Sequence, residues 1–97
     1  MENKIVIASQ MLERSNVDDR PKILQSVYER FGAECKVFYF QALDSNDYKM
    51  RISGIKILVD LLDKDALKYL EPLKKDENFW VRRTANKYCK KISNENS

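Results

Sequence analysis

Aspartates three residues apart occur twice, Asp44 with Asp47 and Asp60 with Asp63. Such pairs are raw material for acid–base work or for a cation site. Neither pair gathers a second set of ligands, so both read as helix caps and solvated surface. The chain holds no histidine. That removes imidazole proton transfer, Ser–His and Cys–His nucleophile pairs and His-ligated metals together. Cys35 and Cys89 stand 54 positions apart with no Cys-x-x-Cys unit. Two thiols furnish neither a four-ligand zinc site nor a disulfide framework, and both are expected to be reduced and at least partly buried. No glycine-rich phosphate loop is present. The residues thus offer no catalytic set, no metal site and no cofactor site, and the chemistry that remains is binding.

Binding chemistry gathers in three places. Arg82, Arg83, Lys87, Lys90 and Lys91 form a basic cluster able to meet phosphates, interleaved with Trp80 and Tyr88. Cations near a helix end also complement the macrodipole with no ligand present. Trp80 stands on a stripe that is otherwise polar, where an aromatic can anchor an interface. A covering tail or neighbouring helix is the plainer account. Phe38, Tyr39 and Phe40 are consecutive aromatics that span about 200° of a helix. One of them turns outward unless a thin domain buries all three.

These residues need elements to hold them. Ninety-seven residues make one domain, and 43% hydrophobic content is enough for a core. Gly32, Gly54, Pro21 and Pro72 are too few turn residues for a β-sandwich or barrel. A net charge of +3 with both signs intermixed is an ordinary solvated surface. The start lacks the apolar run of a signal peptide, and no run approaches the ~18 residues of a membrane span, so a cytoplasmic protein is expected.

Three strings share one pattern at a spacing of 31: Asn16-Val17-Asp18-Asp19-Arg20, Asp47-Tyr48-Lys49-Met50-Arg51 and Asn78-Phe79-Trp80-Val81-Arg82. Each puts Asn or Asp where a helix N-cap accepts an orphan N–H. Helix-period segments follow over about 19–31, 48–62 and 79–92, with shorter apolar segments over about 4–14, 34–43 and 64–74. Gly32 suits a helix end and Pro21 a first turn, while Pro72 ends or bends the fifth helix near Glu71. Residues 1–92 are expected to form a single domain and residues 93–97 a frayed tail.

The register lets the long helices be compared face by face. Asp18, Lys22, Gln25 and Glu29 form a polar stripe, as do Lys49, Ser53, Lys56, Asp60 and Asp63. A second face is apolar in Leu24, Tyr28 and Phe31 and in Ile55, Val59 and Leu62, but polar in Asn86, Lys90 and Ser93. A third is polar in Ser26 and Arg30, then apolar in Ile57 and Leu61 and in Tyr88 and Ile92. This is the pattern of a stack whose end faces meet water. The middle long helix is flanked on both sides, with Ile55, Leu58, Val59, Leu61 and Leu62 expected in the core.

The stretch Ala66-Leu67-Lys68-Tyr69-Leu70 followed by Asp76-Glu77-Asn78-Phe79-Trp80-Val81-Arg82-Arg83-Thr84-Ala85 resembles the short HEAT-like repeat. Asp47 to Gly54 is similar, with Met50 for Val and Gly54 for Ala, whereas the first copy has Asp19 and Ile23 at those positions. The resemblance implies an all-α, right-handed αα-superhelix of about six helices in roughly three 31-residue repeats. It also implies that Arg20, Arg51 and Arg82 form an Arg–Asp ladder between repeats, with Asp47 and Asp76 as partners, in preference to a row of arginines that binds anions. HEAT-like solenoids mostly serve as scaffolds and binding surfaces. The leading expectation is a non-catalytic module that binds another protein. It would use Tyr39 and Tyr69 on the inner surface of the short helices, or an edge made by Trp80, Arg83, Lys87 and Lys91. A nucleic-acid binder using Arg83, Lys87, Lys90 and Lys91 is the alternative. A relative of the DNA-repair or bilin-attaching HEAT-like enzymes is the third.

Overall fold

A computed structural model describes residues 3–61 and 63–95. Six α-helices occupy them: α1 (Lys4–Arg14), α2 (Arg20–Phe31), α3 (Lys36–Ala42), α4 (Tyr48–Asp60), α5 (Ala66–Leu70) and α6 (Phe79–Glu95). There is no strand among the described residues. A 3₁₀ turn, Gly32–Cys35, leads into α3, and another, Glu71–Lys75, extends α5. Leu62, expected in the core, lies outside the described residues.

The local rules act at the helix ends. Asp47 Oδ1 accepts from Lys49 N at 3.0 Å, and Asn78 Oδ1 accepts from Trp80 N at 2.8 Å and Val81 N at 3.2 Å. Both satisfy donors with no intrahelical acceptor. The first string departs from this pattern. Asn16 accepts from Asp19 N at 3.0 Å within a turn, and α2 begins only at Arg20. Gly32 closes α2 at φ 61°, a left-handed conformation that strains any residue with a Cβ. Pro72 falls in the first turn of the 3₁₀ segment, where its missing N–H costs nothing, so α5 stops at Leu70. Residues 93–95, expected to fray, instead continue α6, which runs to Glu95 beyond the fully buried Ile92, and residues 96–97 lie outside the described residues.

α2, α4 and α6 pack side by side with α4 in the middle, and each takes a short helix: α1 on α2, α3 on α4, and α5 with its 3₁₀ extension on α6. The result measures 39 × 28 × 16 Å. Ile55, Ile57, Leu58 and Val59 are buried around most of α4, while Leu61 is only partly buried against the core. The outer sides of the flanking helices are polar and exposed: Ser26 and Arg30 on α2, Asn86, Lys90 and Ser93 on α6. No described helix is long and apolar enough to cross a membrane.

The 31-residue register reaches into the short helices. Ala8, Tyr39 and Leu70 occupy equivalent positions, and all three are fully buried. Gly54 and Ala85 are equivalent too. A Cβ on Gly54 would stand 2.8 Å from the Tyr39 carbonyl oxygen and 3.0 Å from the Ala42 Cβ, so α3 and α4 touch through the missing side chain. The Gly54→Ala variant gains ~1 kcal/mol of helix propensity. It is nevertheless expected to lose roughly 1–3 kcal/mol net by overpacking. Urea denaturation measures this, and a stabilised variant would mean that α3 moves away freely.

The three arginines do one job each time. Arg20 Nη2 donates to Ser15 O at 3.3 Å, Arg51 Nη1 to Ser45 O at 2.7 Å and Arg82 Nη1 to Asp76 O at 2.8 Å. Each guanidinium thus holds a carbonyl of the loop before its own helix, five or six residues upstream. One rung of the expected ladder is present: Arg51 Nη2 donates to Asp76 Oδ1 at 3.0 Å, with both side chains at most a tenth exposed. Arg20 has no ion pair among the described residues, and Asp47, its expected partner, caps α4 instead. The reason is in the register. The position equivalent to Asp76 is Ser45, which together with Arg20 lines a cavity of about 500 Å³ between α1, α2, α3 and α4. Replacing Ser45 with Asp is expected to complete this rung and add about 0.5–1 kcal/mol. A higher urea midpoint at unchanged slope would show it. A lower midpoint would mean that the Arg20 guanidinium does not reach the carboxylate.

Candidate functional site

Tyr39 is not on any surface. It is fully buried, its hydroxyl donates to Gly32 O at 2.8 Å, and its ring meets Tyr28 edge-on with centroids 5.8 Å apart. Burial pushes its hydroxyl well above the ordinary tyrosine range. The expectation that Tyr39 anchors a partner is therefore corrected: of the three consecutive aromatics it is the one that faces α4, and Phe38 and Phe40 sit half-buried at its sides. Pairing it with Tyr69 was one residue out of register. Leu70 is the equivalent of Tyr39, and Tyr69 is the equivalent of Phe38.

That shift puts Tyr69 at the surface, 50% exposed, with its ring edge-on to Phe40 at 5.2 Å and the Lys68 amine 5.3 Å from its centroid. Beside it, applying the same register, run Ile7 and Phe38. The neighbouring row is Val6, Val37 and Lys68, and both valines are about half exposed. Two grooves follow these rows. One lies between α1 and α3 and is lined by Ile5, Val6, Val37, Phe38 and Gln41, with a volume of about 500 Å³. The other lies between α3 and α5, about 560 Å³, and is lined by Val37, Phe40, Gln41, Tyr69 and Leu73. Val37 and Gln41 belong to both, so α3 is a ridge between two halves of one surface. Ile5, Val6 and Val37 were missed in the sequence, because they look like ordinary core positions of short apolar helices. The 31-residue spacing was the signal that sets them beside Tyr69.

Charge frames the second groove. Lys36 Nζ reaches Asp63 Oδ2 at 2.8 Å, and this hydrogen bond holds the Lys36 amine above its usual range. Asp44 and Asp65 also line it and have no ion-pair partner among the described residues. Lys68 also lines the groove, so the three carboxylates exceed the two lysines by one negative charge.

The residues of the second expected surface are exposed side by side on α6. Trp80 is 53% exposed and Phe79 beside it 54%, their rings edge-on at 5.1 Å. The Arg83 guanidinium stands 5.9 Å from the Trp80 ring centroid. Arg83, Lys87, Lys90 and Lys91 are all exposed. Arg82 does not join them, because its guanidinium is spent on the Asp76 and Glu77 carbonyls. The chain matches no family model, no curated protein and no solved structure.

Cys35 is fully buried with Sγ 3.9 Å from Lys4 O, and Cys89 is 3% exposed. Desolvation raises both thiols above their ordinary value of 9.0. Thiolate is the reactive form, so neither side chain is expected to react with a thiol reagent at pH 8 until the chain unfolds. The linkage has a definite sign. Above pH 9 the unfolded chain releases protons that the folded chain keeps, so stability declines as pH rises. A melting temperature that falls above pH 9, and falls less in a Cys35→Ala, Cys89→Ala variant, is the expected result. Rapid labelling of the native protein would contradict the buried placement.

Proposed function

We propose that this chain is a small non-catalytic binding module, a HEAT-like αα-superhelix of three 31-residue units that docks a segment of another protein on its short helices. The single observation that carries the reading is the exposed apolar surface along α1, α3 and α5, made by Ile5, Val6, Val37 and Tyr69 and cut by two grooves. Half-exposed aliphatic and aromatic side chains gathered on one face, beside grooves that a side chain can enter, are what an interface core needs. The matching face of the long helices is polar, with Lys22, Gln25, Glu29, Lys56 and Asp60 exposed. The family and the handedness rest on the resemblance of residues 47–54 and 66–85 to the HEAT-like repeat, and the recurrence of buried and exposed positions at 31 residues supports the repeat alone.

Charge indicates what the partner carries. Asp44 and Asp65 beside the α3–α5 groove favour a segment with Lys or Arg flanking its apolar anchors. Anchors at helical spacing would fill the grooves on either side of α3. A random peptide library panned on the protein tests this. Enriched peptides are expected to pair apolar anchors with a basic residue. They should lose about tenfold or more in affinity for a Val37→Asp, Tyr69→Ala variant, as hot-spot residues do. Both side chains are half exposed, so the variant should melt close to the parent. Enrichment of peptides that bind the variant equally well would sink the proposed surface.

A further inference from the structure

The charge of the chain is unevenly placed. α6 holds Arg82, Arg83, Lys87, Lys90 and Lys91 against one carboxylate, Glu95. The net charge of +3 therefore comes from this helix, and the rest of the chain is close to neutral. At about 100° per residue, Trp80, Arg83, Lys87, Lys90 and Lys91 fall within an arc of roughly 100°. The buried Val81, Ala85, Cys89 and Ile92 fill the opposite side. Arg83, Lys87 and Lys91 are four apart, a straight row with steps of about 6 Å, and Trp80 to Lys91 spans about 16 Å. No carboxylate pairs with Arg83, Lys87, Lys90 or Lys91 among the described residues. The two half-exposed aromatics Phe79 and Trp80 sit at one end of the row.

We propose that the outward face of α6 binds single-stranded nucleic acid, with Arg83, Lys87, Lys90 and Lys91 on the phosphates and Trp80 stacked on a base. An anionic occupant follows from the charge. Between an acidic protein and a nucleic acid, the side chains decide. Three of the four cations are lysines, and Thr84, Asn86 and Ser93 beside them are polar. Protein interfaces deplete Lys at their core, whereas nucleic-acid interfaces are polar and strongly positive. A duplex keeps its base faces stacked inside and gives Trp80 nothing to meet. A single strand presents base faces and phosphates together, which a row of cations ending in an exposed aromatic can use at once. The surface is separate from the grooves of the short helices, so this inference stands or falls apart from the peptide-docking reading.

Trp80 is the one tryptophan of the chain, so its fluorescence reports on the site directly. Titration with a fluorescent oligothymidine strand is expected to raise the strand's anisotropy and quench the tryptophan. Four phosphate contacts on a single strand predict affinity falling about 50-fold between about 50 and 200 mM salt. Trp80→Ala should cost about tenfold. An Arg83→Ala, Lys87→Ala, Lys91→Ala variant, altered only at exposed positions, should bind too weakly to measure while melting like the parent. Absence of binding at low salt would overturn the proposal. So would binding retained by the triple variant, equal affinity for duplex DNA of the same length, or equal competition by a polyglutamate peptide.

Discussion

The Arg51 guanidinium is the joint on which the packing of this chain turns. It is a full positive charge at 7% exposure, a placement tolerated only when the charge is paired, and of its three nitrogens the two terminal ones are hydrogen-bonded while the buried Nε has no partner among the described residues. Its two terminal nitrogens reach in different directions, to the Ser45 carbonyl before α4 and to the Asp76 carboxylate before α6. The same Asp76 oxygen accepts from Asn78 N, and the Asp76 carbonyl accepts from Arg82. The starts of α4 and α6 are therefore fixed to each other through one buried pair. Removing either partner leaves the other charge stranded, a loss of about 3–5 kcal/mol that few single surface contacts approach. The pair is a device of geometry more than of net stability, since two apolar side chains of the same volume would cost less to bury.

With the long helices fixed, the short ones follow. α3 lies so close to α4 that Gly54 leaves no room for a Cβ, and that contact drives Tyr39 inward until its hydroxyl finds the Gly32 carbonyl. Once Tyr39 is buried, helix geometry places Val37 on the opposite side of α3, where it is left about half exposed. The exposed row is thus the other side of a tightly packed one. Between α2 and α4 the hydrogen bond from the Tyr28 hydroxyl to the Asp60 carboxylate adds a polar tie near the surface, and the carboxylate raises the hydroxyl above its ordinary range.

Much of this was legible in the residues. The 31-residue recurrence of Asn/Asp and Arg located the long helices to within a few residues, because caps and apolar period speak together there. The polar end faces were readable for the same reason: Asn86 and Lys90 stand where Ile55 and Val59 are buried. The short helices were harder. Five to eleven residues carry too few turns for a face to be unambiguous. Tyr39 and Tyr69 therefore read alike although they stand one residue out of the 31-residue register, and Val6 and Val37 read as ordinary core. The ladder was half right. Arg51 and Asp76 form the rung, but Ser45 interrupts the next one, and nothing in a pattern of arginines alone reveals a missing acid two residues before a cap.

The two proposed binding surfaces draw on opposite physics. The short-helix face offers apolar area with a slight excess of negative charge, and its occupant is held by what it removes from water. The outward arc of α6 offers concentrated positive charge and little apolar area beyond one aromatic pair, and its occupant is held by field strength that salt erodes. Like charge is segregated along the chain as well as in space, since the cations of α6 come in one run of ten residues while Asp44, Asp63 and Asp65 at the α3–α5 groove come from the two loops that flank α4. A basic segment drawn to Asp44 and Asp65 is repelled by α6, and a polyanion drawn to α6 is repelled by the groove. On these two proposals, a domain 16 Å thick would keep its two partners apart by charge alone.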